Sequence, residues 1–224
     1  MTTFNITETA LAQNTAPRCA CVLALDTSSS MSGAPIEELN EGLRMFWDEV
    51  RGDEVASLSI EAGVVTFGGS ASFIQDIQGI SDCDPPRLSA HGTTPMGSAL
   101  DIAMNEVEDR KRLYKSHGTS YYQPWIVLMT DGQPNDNWRD AAARVREMDA
   151  AGKCVFIGVG VGDGVDMDTL TEICPVNRPP KRMSETRFRE FFLWLSASVR
   201  QVSVSAPGQQ IALPPTDSWE TISI

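Results

Sequence analysis

An unbroken apolar segment, Cys19 to Leu25, is followed at once by a run of oxygen-bearing side chains, Asp26 to Ser30. A continuous apolar segment of this length is typical of a central parallel strand, which is buried on both faces. Open α/β sheets bind ligands at the carboxyl ends of their strands. Carboxylate and hydroxyl oxygens suit Mg²⁺. The segment therefore predicts a buried strand that ends in a candidate cation site, although Asp26 or Ser28 could instead cap the next helix.

Two later segments favour the cation site over the helix cap. A second apolar run, Trp125 to Met129, ends in Thr130 and Asp131, and Gly132 follows. Between the two runs, the turn His91 to Pro95 leads into an amphipathic helix. The carboxyl ends of parallel strands meet at one edge of a sheet, so three junctions of this kind can bring their oxygen atoms to one point.

These residues resemble the von Willebrand factor type A (VWA) family and its metal-ion-dependent adhesion site (MIDAS). The family pattern is Asp-x-Ser-x-Ser, then a Thr in a Gly-rich turn, then an Asp after a hydrophobic strand. The chain matches it with Asp26, Ser28, Ser30 and Asp131. The threonine is either Thr93 or Thr94, and we select Thr94 because family members often place a Thr just before the helix. The resemblance spans roughly residues 17–200.

The resemblance implies that Asp26, Ser28, Ser30, Thr94 and Asp131 hold one Mg²⁺, with Mn²⁺ or Ca²⁺ as alternatives. It also implies that a protein partner supplies an Asp or Glu to the ion. The site would then bridge two proteins and would not be catalytic. The motif contains no group placed as a general base or nucleophile, so the expected function is metal-dependent binding and not enzymatic.

Alternating strand and helix patterns predict a doubly wound, mostly parallel α/β sheet flanked by helices, with one antiparallel edge hairpin at Gly68-Gly69. The division expected along the chain is an N-terminal extension (1–16), a VWA domain (17–202) and a Pro-containing, surface-lying or partly disordered tail (203–224). Hydrophobic periodicity predicts strands at 19–25, 58–67, 71–77, 125–129 and 154–159, and helices from Pro35 to Val50 and at 95–113, 138–150, 167–173 and 185–199.

Charge and cysteine content narrow the partners and the compartment. The net charge of −12 argues against a nucleic-acid groove or an anionic membrane surface. No apolar run approaches the ~20 residues that span a bilayer, and the polar N-terminus does not resemble a signal peptide. Five cysteines lie mostly in apolar strands, which favours free thiols in the cytoplasm over disulfides. Zinc is disfavoured because no Cys-x-x-Cys occurs.

A hydrolase is the competing interpretation. Asp26-Thr27, His91 to Thr93 and Gly118 to Ser120 resemble the three triad segments of subtilisin-like proteases in the right order. Ser120 comes too soon after His91, however, and lies between a helix and a strand. A haloacid-dehalogenase phosphatase would need a second Asp where Ser28 stands. The residues present therefore disfavour both hydrolase interpretations.

The C-terminal part also resembles one branch of the family. Phe191 to Ser196, followed by Leu213 to Pro215, is similar to the tellurium-resistance TerY proteins, which are small bacterial type A domains. This resemblance implies a role in bacterial stress response and tellurite resistance. It also implies a kinase-like or phosphatase-like protein as partner.

Overall fold

The computed structural model describes residues 14–209 and 211–220. Residues 1–13 of the expected N-terminal extension, and residues 210 and 221–224 of the expected tail, lie outside the described residues. Within them, one sheet has the strand order β3-β2-β1-β4-β5-β6. All neighbouring strands are parallel except β2 and β3, which pair as an antiparallel hairpin. The predicted fold class is confirmed. The strands are β1 (Cys19–Asp26), β2 (Ile60–Gly68), β3 (Ser70–Gly79), β4 (Trp125–Thr130), β5 (Val155–Val161) and β6 (Lys181–Met183).

Helices cover both faces of the sheet. They are α1 (Ala34–Arg51), α2 (Ala56–Ser59), α3 (Met96–Ser116), α4 (Arg139–Ala150), α5 (Met167–Ile173) and α6 (Phe188–Ser203). Helices α1 and α6 pack on one face, and α3, α4 and α5 pack on the other. Alternate residues of β1 point to opposite faces, as the pleat requires. Cys19, Cys21, Leu23 and Leu25 therefore meet α1 and α6, whereas Ala20, Val22 and Ala24 meet the α3 side.

The apolar stripes predicted for two helices are confirmed. Pro35 lies in the first turn of α1, where its missing N–H costs nothing. All six residues of the α1 stripe are buried: Ile36, Leu39, Leu43, Phe46, Trp47 and Val50. Met96 and Met104 of α3 are fully buried and fill the core. The periodicity of these two helices thus fixes which face each one turns to the sheet.

Two predicted starts are wrong by two or three residues, the ends of β3, α3, β5 and α6 lie two to four residues later than predicted, and strand β6 and helix α2 were missed. Strand β2 begins at Ile60 and not at residue 58, because the Asp53 carboxylate accepts the amides of Val55 and Ala56 and starts the short helix α2. Helix α6 begins at Phe188 and not at residue 185. A turn over 184–187 follows β6 and separates the two elements. Strand β6 has three residues, too few for periodicity to reveal it.

The C-terminal segment is not wholly on the surface, contrary to expectation. Trp219 is fully buried, with its ring centroid 5.1 Å from that of Phe191 and 5.3 Å from that of Trp194. The next residue, Glu220, forms an antiparallel bridge with Met183 of β6. The segment therefore covers the β6 end of the sheet and extends the hydrophobic core.

The cysteines are free thiols, four of them buried and Cys83 half-buried. Within residues 14–209 and 211–220, no group of three or more His, Cys, Asp or Glu side chains is arranged to hold a metal. None of the helices in the described part of the chain combines the length and apolar character needed to cross a bilayer.

Candidate metal site

The candidate site lies where the direction of winding reverses. The chain leaves β1 towards β2 on one side and leaves β4 towards β5 on the other, so the carboxyl ends of β1 and β4 flank a topological switch point. Parallel pairing sets Leu25 beside Met129. Asp26 and Thr130 are consequently neighbours at this edge, which is the place where such sheets bind ligands.

The first loop carries three of the predicted ligands. The Asp26 carboxylate accepts the Ser28 amide at 2.8 Å, which turns the chain sharply after β1. A 3-10 turn, Ser29–Met31, follows and is anchored by the buried Met31 side chain. This turn brings the Ser28 and Ser30 hydroxyl oxygens to 3.0 Å from each other. Asp26 and Ser28 are almost fully buried, whereas Ser30 is exposed.

The second loop brings Asp131 to the same cluster. Its carboxylate accepts the Ser30 hydroxyl at 2.8 Å. The preceding residue, Thr130, is a functional neighbour that sequence reasoning missed. Its hydroxyl donates to the Asp26 carboxylate and accepts the Gly132 amide at 3.2 Å. Strand register was the signal that could have identified Thr130, because its neighbour across the parallel pair is Asp26.

The third loop contributes Thr94. A Cβ atom added to Gly132 would lie 3.5 Å from Thr94 Oγ1, 3.9 Å from Asp26 Oδ2 and 4.0 Å from Ser30 Oγ. The three oxygens therefore border one small space. Thr93 is exposed, and its carbonyl accepts the amide of Gly69 in the hairpin turn. The structure thus brings together all five residues predicted as ligands, with Thr94 and not Thr93 as the buried threonine.

Main-chain hydrogen bonds hold the Thr94 turn against the first loop. The Ser29 amide donates to the Gly92 carbonyl at 3.0 Å, and the His91 amide donates to the Thr27 carbonyl at 2.7 Å. Gly92 has φ +71°, and a Cβ there would lie 2.5 Å from Gly69 Cα. Only glycine fits this close approach of two turns. The position of Thr94 is therefore fixed by the backbone.

The two carboxylates are destabilised by their surroundings. Burial, with a smaller contribution from the nearby Asp131, raises the pKa of the Asp26 carboxyl to about 6, although hydrogen bonds from Ser28 and Thr130 oppose the increase. Burial also raises the pKa of Asp131; a hydrogen bond from Ser30 opposes this, and Glu185 adds to it. A bound cation would stabilise the ionised forms of these two neighbouring carboxyls. The donor set, carboxylate and hydroxyl oxygen without His or Cys, fits Mg²⁺, Mn²⁺ or Ca²⁺ better than zinc.

The raised pKa of Asp26 predicts opposite pH dependences for folding and for metal binding. Without metal, the stability contributed by this carboxyl is fully present below its ordinary pKa of 3.8 and is lost as the pH rises through about 6. Metal affinity should instead fall as the pH drops through about 6, because binding needs the ionised form. At pH 5 we expect about tenfold weaker Mn²⁺ binding than at pH 7, measured by calorimetric titration.

The matched control for this prediction is Asp26→Asn, which cannot ionise. Without metal it should remain more stable than the wild-type protein above about pH 6, as measured by thermal melts. Wild-type Mn²⁺ affinity that stays constant from pH 7 to pH 5 would contradict the prediction.

Two further side chains, Trp138 and Asp166, have structural roles, and the structure does not support the protease alternative. Trp138 is buried and packs into the core just before the first residue of α4. Asp166 caps α5, since its carboxylate accepts the Thr169 amide at 3.0 Å. The protease triad does not assemble. The Ser120 carbonyl accepts the Arg18 amide just before β1, whereas the His91 amide donates to the Thr27 carbonyl just after it, nine residues or about 30 Å further along the extended chain.

The doubly wound α/β fold and the cluster of carboxylate and hydroxyl oxygens at its switch point together define a class of protein domain. The family model of the von Willebrand factor type A domain matches residues 21–193, and the chain belongs to this family. A comparison with curated protein sequences gave no match.

Solved structures with the same fold include domains of animals, protozoa and bacteria. Proximal thread matrix protein 1 from the mussel byssus, with a zinc-occupied MIDAS motif, is 18% identical, with a TM-score of 0.56 over 83% of this chain and 48% of that one. The manganese-loaded Plasmodium vivax TRAP protein is 18% identical, with a TM-score of 0.52 over 79% and 73% of the two chains. BatB from Bacteroides thetaiotaomicron is 17% identical, with a TM-score of 0.56 over 84% and 100%.

The present chain spans about half the length of the mussel protein structures, 46% to 49%. At identities of 17–18%, these comparisons show that the fold is shared and nothing more. The metals named for the mussel and Plasmodium proteins are properties of those proteins.

Proposed function

We propose that this chain is a metal-dependent protein-binding module, in which Asp26, Ser28, Ser30, Thr94 and Asp131 hold one divalent cation. The convergence of these oxygens from three separate loops at the switch point supports the proposal. Mg²⁺ is the expected ion, with Mn²⁺ or Ca²⁺ as alternatives. When bound, the cation would supply a positive charge and an open coordination position for a carboxylate of the partner.

Charge makes binding conditional on the metal. The chain carries a net charge of −12. Glu185 is exposed and close enough to Asp131 to raise the pKa of that carboxyl. An Asp or Glu of a partner would be repelled by this acidic edge, and a bound cation reverses the local field. We infer that the partner is a protein that inserts such a carboxylate.

The surroundings of the site favour binding over catalysis. The nearest histidine in the three loops, His91, has an exposed ring whose Nδ1 lies 3.2 Å from the Ser89 carbonyl. The Ser28 and Ser30 hydroxyls are hydrogen-bonded to each other, and the carboxylate that accepts the Ser30 hydroxyl, Asp131, is itself assigned to the cation and is therefore not a free base. A nucleophile needs an adjacent base within hydrogen-bonding reach. The proposal therefore assigns no reaction to the site.

The proposed biological setting is the tellurium-resistance TerY branch, in bacterial stress response, with a cytoplasmic location. Its support is the resemblance of Phe191 to Ser196 and Leu213 to Pro215. The two segments also contact each other, since the Trp194 indole donates to the Pro214 carbonyl at 2.8 Å. A kinase-like or phosphatase-like protein is the proposed partner on the same basis.

Thermal melts with EDTA and with Mg²⁺ or Mn²⁺ test the metal. At a metal concentration one hundred times Kd, the gain should be about 2.7 kcal/mol, or roughly 5–10 °C in Tm. Asp26→Ala should remove the shift. Thr94→Ala should reduce it, whereas the matched control Thr93→Ala should keep it because Thr93 is exposed. No shift in the wild-type protein would refute the metal assignment.

The metal dependence of partner binding can be tested with and without EDTA in the same way. Immobilised protein should retain its partner in Mg²⁺ and release it in EDTA. Asp131→Ala should abolish retention while the circular dichroism spectrum stays unchanged, because Asp131 lies at the rim. Affinity should weaken only modestly with salt, since one metal–carboxylate contact is screened less than a broad charged surface. Binding that is unchanged in EDTA would place the interface elsewhere.

A further inference from the structure

Asp136, in the loop between β4 and α4, caps a helix other than its own. One carboxylate oxygen accepts the Gly97 amide at 2.9 Å, and the other accepts the amide and the hydroxyl of Ser98, both at 2.8 Å. These groups belong to the first turn of α3, whose cap residue, Pro95, makes no side-chain cap hydrogen bond. Asp136 therefore supplies the capping carboxylate from a distant part of the sequence.

The loop and the helix touch along their backbones as well. The Asn135 amide donates to the Thr94 carbonyl at 3.1 Å. A Cβ on Gly97 would lie 2.5 Å from the Asn137 carbonyl oxygen and 2.7 Å from Trp138 Cα. Because Gly97 has no side chain, the loop can approach the first turn of α3 closely. The Asp136 carboxylate then hydrogen-bonds to that turn.

This contact joins two of the proposed ligands. Asp131 begins the loop that carries Asp136, and Thr94 lies two residues before the first residue of α3. The other main-chain contacts of the Thr94 turn, at His91, Gly92 and Thr93, tie it to the first loop and to the hairpin turn. The three hydrogen bonds of the Asp136 carboxylate, together with the Asn135–Thr94 hydrogen bond, therefore join the turn that carries Thr94 to the loop after β4.

We propose that Asp136 is a positioning residue that fixes the separation of Thr94 and Asp131 and so prepares the site for a divalent cation. The inference rests on the proposed function. Three hydrogen bonds to one carboxylate, of which two come from main-chain amides, leave it little freedom. Groups that orient metal ligands in this way typically contribute a factor of about 10–100 in metal affinity.

The test is the Mn²⁺ dissociation constant of the folded 224-residue chain, measured by calorimetric titration. Asp136→Ala should weaken binding by about 10–100-fold. Asp166→Ala is the matched control, because Asp166 also caps a helix through an amide and a hydroxyl, both of Thr169, but lies outside the donor cluster. Both variants should lower the Tm without metal, whereas only Asp136→Ala should change the dissociation constant.

Asp136→Asn keeps one acceptor oxygen and should fall between wild type and alanine, which maintains the test if Asp136→Ala does not fold. Wild-type affinity in Asp136→Ala, or in Asp136→Asn where the alanine variant does not fold, would overturn the inference and leave the metal assignment standing. An equal loss of affinity in Asp166→Ala would overturn it too, since the effect would then follow stability. Absence of Mn²⁺ binding to the wild-type protein would remove both proposals.

Discussion

Replacing Glu61 with alanine is expected to lower the free energy of unfolding by about 3–5 kcal/mol. Glu61 is 2% exposed in β2, and Arg110 of α3 lies against it with Nε and Nη2 at 2.7 and 2.6 Å from Oε2. The Tyr114 hydroxyl donates to the same oxygen. Without Glu61, the buried Arg110 guanidinium would lose its partner charge, and this uncompensated charge is the main cost. Urea denaturation measures the change.

An exposed ion pair provides the comparison. Glu37 and Arg87 lie 3.7 Å apart with side chains that are 66% and 83% exposed. Glu37→Ala should cost no more than about 1 kcal/mol, because solvent screens such pairs. A loss in Glu61→Ala as small as that in Glu37→Ala would contradict the prediction and mean that water reaches the Arg110 guanidinium.

Glu61→Ala should leave metal affinity unchanged. Glu61 pairs with Ala20 near the amino end of β1, six residues from Asp26, or about 20 Å along the strand. The variant is therefore a destabilised protein with an intact candidate site. It separates loss of stability from loss of binding in every experiment on the metal.

Long apolar patterns in the sequence were sufficient to predict the strands and helices that contain them. The apolar segment Cys19 to Leu25 became a strand buried on both faces, and the stripe from Ile36 to Val50 became one face of α1. Short or interrupted elements were not predictable, because β6 offers three residues and α2 depends on a cap from Asp53. Glu61 carried a signal in hindsight, since a charge in a buried strand requires a partner, but nothing in the sequence identified Arg110.

The candidate site was predictable to the extent that strand ends determine it. Asp26 and Asp131 each follow a buried strand, so the parallel sheet alone places them at one edge. Thr130 could be inferred only from the register of β1 and β4, and the register is a tertiary property. Asp136 could not be inferred at all, because it caps a helix that begins 40 residues before it in the sequence.

The second large effect is expected at Trp219, in the segment that sequence analysis assigned to the surface. This segment is polar and contains prolines, and its sequence shows no hydrophobic periodicity. A single side chain that is buried in the core therefore cannot be recognised from the sequence pattern. The Trp219 ring is edge-on to Phe191 and tilted on Trp194, and it has no exposed surface. Trp219→Ala should therefore cost about 3–5 kcal/mol of unfolding free energy, from lost burial and the cavity that remains. Urea denaturation of the full chain measures it.

Trp219→Phe is the informative control. The indole N–H of Trp219 is buried and has no hydrogen-bond partner among residues 14–209 and 211–220. Phenylalanine loses volume but also removes this unsatisfied donor, which costs about 1–3 kcal/mol when buried. The phenylalanine variant should therefore be clearly more stable than the alanine variant. If Trp219→Ala cost less than about 1 kcal/mol, the segment would be detached in solution. The edge of β6 would then be free to pair with another chain, because Glu220 is the residue that bridges Met183.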